Sequence, residues 1–199
     1  MKIIKSISVL LVLLLAVAGF AQEKQEKTED LGMGAFANER GPILLAVDAA
    51  LADFQMKSPY VMFVFYMASK SPNQDIVVGR DTISMIYEGK EYKMPSFKEL
   101  RDNYTGTIRD VDFYRHLGKE GVIASWVRLY NFPQRADFFP PLTMRGTLAV
   151  DQASMYSFTG FRTKVYFKNP GFKKGDRLTF KVWDKKDPNI ASQVEVVLD

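Results

Sequence analysis

Residues 60–68 read YVMFVFYMA, nine apolar side chains in a row, closed off by Ser69-Lys70-Ser71-Pro72-Asn73. A run that is continuously apolar yet so short suits a central β-strand covered on both faces. The rest of the chain can be read around it. Residues 75–87, the turn Glu88-Gly89-Lys90 and residues 91–94 read as two strands joined at a glycine. Residues 121–130, 143–150, 163–168, 178–183 and 193–198 continue the pattern of short apolar or alternating runs broken by Gly, Pro, Asn and Asp.

Two stretches fit less well. Residues 43–54 (ILLAVDAALADF) hold four alanines and an apolar spacing that suits a helix nearly as well as a strand. The alternation of Val47, Ala49 and Leu51 favours a strand. Ser96 with Glu99 three residues on is a capping-box signature, so residues 96–117 are expected to form a short helical or irregular insertion. The fold expected is all-β, an antiparallel β-sandwich, immunoglobulin-like in the loose architectural sense. Residues 171–198, a Gly-Asp turn, an alternating strand, an Asp-rich turn and a last strand, resemble the end of many such sandwiches. That likeness implies architecture and no activity.

Lys2 and Lys5 precede twelve residues, 7–18, that are apolar except for Ser8, followed by Gly19-Phe20-Ala21 and a polar run. This is the layout of a secretory signal, with removal expected after Ala21 and Ala16-Val17-Ala18 as a second site. The apolar run is shorter than the ~20 residues that span a bilayer. The mature protein is therefore expected to be secreted or periplasmic, without a transmembrane segment. Residues 22–40, charged at first and glycine-containing after, read as a flexible tether, and residues 41–199 as a single sandwich domain.

The chain has no cysteine, which excludes a disulfide framework, a cysteine-ligated metal and a cysteine nucleophile. His116 is the only histidine, and neither a Gly-x-Ser-x-Gly elbow nor a Ser-x-x-Lys motif accompanies it in the mature chain. Phosphate-binding and dinucleotide-binding glycine loops are missing too. Asp110 with Asp112, or Glu88 with Glu91, could in principle supply a glycosidase pair. In Asp184-Lys185-Lys186-Asp187-Pro188-Asn189 the lysines stand where a calcium ion would sit, so a tight turn is the better reading. No catalytic residue, cofactor or metal site is assigned. Three phenylalanines and three prolines in residues 131–141 suit a plug at the end of the sandwich.

The net charge of +4 hides an asymmetry. Without residues 1–21 it is +2, a balance that argues against nucleic acid as partner. Residues 162–186 carry nine basic and two acidic side chains, a local +7, so the rest of the mature chain sums to −5. Alternation places Arg162, Lys164, Tyr166 and Lys168 on one face of their strand, and Arg177, Thr179, Lys181 and Trp183 on one face of the next. A hairpin would pair Lys168 with Arg177 and Lys164 with Lys181, and set Arg162 beside Trp183; a connection crossing between the two sheets would split the patch. Arg162, Lys164, Tyr166, Lys168, Arg177, Lys181 and Trp183 are thus the candidate ligand-binding residues. Charge complementarity makes an anionic glycan, a lipid headgroup or an acidic protein the partner. The expected function is a non-catalytic binding or interaction module of the cell envelope or exterior. A carboxylate-dependent glycan hydrolase and an accessory subunit of an envelope complex are the alternatives.

Overall fold

The computed structural model describes residues 27–117, 120–126, 130–140 and 148–199. Among them twelve strands and three α-helices are present. The strands are β1 (Glu29–Gly32), β2 (Ala35–Asn38), β3 (Ile43–Asp48), β4 (Tyr60–Ser69), β5 (Ile76–Gly79), β6 (Ile83–Tyr87), β7 (Lys90–Lys93), β8 (Asn131–Arg135), β9 (Gln152–Met155), β10 (Thr159–Lys168), β11 (Arg177–Trp183) and β12 (Ala191–Val197). The helices are α1 (Phe97–Asn103), α2 (Thr107–Leu117) and α3 (Glu120–Trp126). A six-stranded sheet runs β1-β2-β3-β4-β10-β8, a four-stranded sheet runs β12-β11-β6-β7, and β5 pairs with β9. Every pairing is antiparallel except that of β8 with β10. The architecture is the all-β sandwich expected, with a helical insertion.

All ten residues of β4 are buried, and the register explains how. Val61, Phe63, Phe65 and Met67 share one face with Val165 and Phe167 of β10. That face meets the four-stranded sheet, where the Phe180 ring lies 4.7 Å from Phe63, 5.1 Å from Phe65 and 5.6 Å from Phe167. The other face, Tyr60, Met62, Val64 and Tyr66, is covered by a third layer. Tyr104, which caps α1, lies 5.8 Å from Tyr60, and Phe132 lies 5.6 Å from Tyr66. The capping box at its start is formed: the Glu99 N–H donates to Ser96 Oγ at 3.0 Å.

Several elements differ from expectation. The segment read as a signal, residues 1–21, lies outside the described residues. The stretch read as a tether ends in a hairpin instead: β1 and β2 extend the large sheet, and Ala35, Phe36, Ala37 and Asn38 are buried. Its charges fall on the exposed edge strand β1, which composition alone reports as disorder. Gly32, Met33 and Gly34 all take positive φ (80°, 57°, 77°), which the tight turn between them requires. Residues 43–54 divide into β3 and a 3₁₀ turn at Ala52–Gln55. The strand expected at residues 121–130 is in its described part the helix α3, where Ile123, buried, and Val122 and Trp126 recur at helical spacing. Residues 75–87 form two strands in different sheets, β5 and β6. Of the strand expected at residues 143–150, the part through 147 lies outside the described residues, and 148–150 are not in a strand. Residues 131–135 form β8, and Ala136, Phe138 and Phe139 beyond it are buried, so this segment is packed as a plug.

Candidate functional site

The connection from β10 to β11 crosses between the two sheets. Asn169 pins its start: Nδ2 donates to the Met56 and Ser58 carbonyls at 2.9 and 2.8 Å, and Oδ1 accepts from the Gly171 and Phe172 N–H groups at 2.8 and 3.0 Å. Phe172 then packs 5.2 Å from Tyr87, and Asp176 Oδ2 accepts from the Tyr87 hydroxyl at 2.8 Å, which seats the segment on the smaller sheet. The hairpin pairing is therefore not formed, and the opposed like charges it would have carried are avoided.

The candidate stripe is split by this crossover. Arg177, Lys181 and Trp183 lie on the outer face of the four-stranded sheet, and Arg162, Lys164, Tyr166 and Lys168 on the outer face of the six-stranded one. Arg162 does not pair with Trp183; the ammonium groups of Lys93 and Lys181 approach that indole at 4.5 and 6.0 Å. On the same face Arg177 is bound to Glu195 at 2.5 Å and Lys93 to Glu91 at 2.6 Å. Hydrogen bonds from Lys93 and Ser84 hold the Glu91 carboxyl below its usual range. This half of the stripe compensates its own charge. On the other sheet Lys168 is exposed, but Tyr166 is wholly buried, so it belongs to the packing rather than to a surface.

What buries Tyr166 is the third layer. Thr107, Asp110, Val111 and Tyr114 recur at helical spacing and form the inner side of α2. Two hydrogen bonds tie that side to the sheet. The Tyr114 hydroxyl donates to Asp48 Oδ2 at 2.9 Å, while Asp48 Oδ1 accepts from the Ala50 N–H at 2.9 Å. The Tyr166 hydroxyl donates to Asp110 Oδ2 at 3.5 Å. Burial pushes the Asp110 carboxyl above its ordinary range, against the pull of Tyr104 and Gln55 beside it. Burial and the Asp110 charge together raise Tyr104 to about 12 and Tyr166 further.

Beside this anchored helix lies a pocket with a cavity volume of about 60 Å³. Val64 of β4 and Val111 of α2 give it apolar wall; Arg115 and Tyr114 enter from α2, Arg162, Thr163 and Lys164 from β10, and Asp137 from the link after β8. That link is fastened to β10: the Ala136 N–H donates to the Arg162 carbonyl at 3.2 Å, and the Thr163 hydroxyl donates to the Ala136 carbonyl at 2.5 Å. Three cationic side chains and one carboxylate thus share one small space, and two of the cations, Arg162 and Lys164, come from the predicted stripe. Arg115, Tyr114 and Asp137 were not foreseen. The helical spacing of residues 107, 110, 111 and 114 carried the signal for the α2 wall.

The remaining candidates are dispersed. His116 is exposed in the last turn of α2. Asp112, two residues from buried Asp110, is exposed and bound to Arg115 at 3.4 Å, so these two acids do not share a cleft. Glu88 and Glu91 lie in and beside the exposed β6–β7 turn. In the 184–189 turn, Asp184 Oδ1 accepts from the Val77 and Lys186 N–H groups at 2.9 and 3.2 Å, and Asp187 Oδ1 accepts from the Asn189 N–H at 3.0 Å. Among the described residues no helix is long and apolar enough to cross a membrane. Compared with family models, curated proteins and solved structures, the chain matches none.

Proposed function

We propose that this protein is a non-catalytic binding module, acting in the periplasm or outside the cell, that takes an anionic group in the pocket between α2 and the six-stranded sheet. The observation that carries the reading is the lining: Arg115, Arg162 and Lys164 stand against the single acid Asp137, over an apolar floor. Cations set in a partly dry recess attract an anion more strongly than the same cations on open surface. The leader-like residues 1–21 support the location. An acidic end group of a glycan or of a protein partner suits a recess of this size.

The test is titration of the purified protein with inorganic phosphate, followed by calorimetry at low and at raised salt. Binding that weakens with salt and falls at least about tenfold in Lys164→Glu, with the circular dichroism spectrum unchanged, supports the reading. Phosphate binding that is absent, or equal in parent and variant, overturns it.

A further inference from the structure

The pocket is not uniformly basic, and its one acid narrows the ligand. Asp137 is half-buried there and forms no ion pair or side-chain hydrogen bond among the described residues. A simple anion would fill the field of Arg115, Arg162 and Lys164 and be repelled by Asp137. A purely apolar ligand would strip water from all four charges without replacing it, which is costly. A molecule carrying a carboxylate and an ammonium on one carbon answers both signs at once. Its side chain would lie on Val64 and Val111. The volume of about 60 Å³ corresponds to roughly four to six waters, at ~10–15 Å³ of probe space each. Alanine, with about six non-hydrogen atoms, is of that size.

We propose that the pocket binds a small α-amino acid zwitterion, its carboxylate on the Arg115–Arg162–Lys164 side and its ammonium on Asp137. This rests on the anion-pocket reading above and deepens it. The test is calorimetric titration of the whole protein with L-alanine, with lactate, in which a hydroxyl replaces the ammonium, and with inorganic phosphate, each against the parent and Asp137→Asn. The expected result is that alanine binds, that lactate binds at least about tenfold more weakly, and that Asp137→Asn weakens alanine about tenfold while leaving phosphate equal or tighter. Lactate equal to alanine overturns the proposal without any variant, should Asp137→Asn fail to fold. Phosphate binding without alanine binding overturns the zwitterion and leaves the anion reading standing. Failure of all three ligands to bind overturns both.

Discussion

Gly160→Ala is the sharpest test of the pairing that places Arg162 and Lys164 under α2. Gly160 faces Ala68 across the β10–β4 ladder, and a Cβ built on it would lie 1.8 Å from the Met67 carbonyl oxygen and 2.6 Å from Ala68 Cα. Both are backbone atoms that cannot swing aside. Real Cβ contacts are essentially never under 3.0 Å, so β10 must withdraw by about 1.2 Å or more at this point. A ladder bond of ~2.9 Å would then stretch to ~4 Å and cease to be one. Losing the two bonds nearest the site costs about 1–3 kcal/mol, at ~0.5–1.5 kcal/mol each. Loosened packing at the neighbouring buried Phe161 brings the total to about 2–4 kcal/mol. Urea unfolding followed by circular dichroism measures it: with a slope of ~2 kcal/mol/M the midpoint falls by about 1–2 M. A change under about 0.5 kcal/mol would mean that β10 does not approach β4 this closely, and the split of the basic stripe would lose its foundation.

Three further outcomes follow from the same structure. Because the folded Asp110 carboxyl titrates above its ordinary 3.8, its neutral form is the favoured one; the stability this gives is full below about pH 3.8 and lost as pH rises through the folded value. Asp110→Asn should therefore be at least as stable as the parent at pH 7 and lose that part of the pH dependence in thermal melts; a destabilised variant with unchanged pH dependence would contradict the assignment. Tyr114→Phe removes a donor from buried Asp48 and should cost about 1–3 kcal/mol in the same urea assay, whereas a neutral result would mean the bond does not anchor α2. Lys181→Glu, on the far sheet, should leave phosphate binding within about twofold of the parent, and a loss like that of Lys164→Glu would show the two halves of the stripe acting together.

The strand character of the chain was legible because it is written locally. Nine apolar residues in a row at 60–68 announce a strand with neighbours above and below, and β4 has them. The partner of each strand was not legible in the same way. Alternation says which side chains share a face of β11, but whether β11 lies beside β10 or across the core from it depends on Phe180 meeting Phe63, Phe65 and Phe167, residues remote in sequence. The α3 helix misled for a related reason: Val122, Ile123 and Trp126 within seven residues fit either period, and packing decides between them.

The candidate site adds a second lesson about alternation. A side chain that points away from the sandwich core is solvent-exposed only where no further layer covers it. Along β10, four outward residues show the footprint of that layer: Tyr166 is fully buried beneath α2, Arg162 and Lys164 are half-buried, and Lys168 is exposed. Two cations therefore stand at the rim of a packed helix rather than on open sheet, where their field is less screened than that of Lys168. The same rim is where Arg115 and Asp137 arrive, from segments that lie 25 to 50 residues away in the chain. The contribution of β10 to the pocket could be read from charge and alternation, whereas its opposite wall exists only once α2 is anchored through Asp48 and Asp110. Loosening those two anchors should thus weaken ligand binding without touching a pocket residue's charge, and Tyr114→Phe, measured for phosphate affinity as well as for stability, puts that coupling to the test.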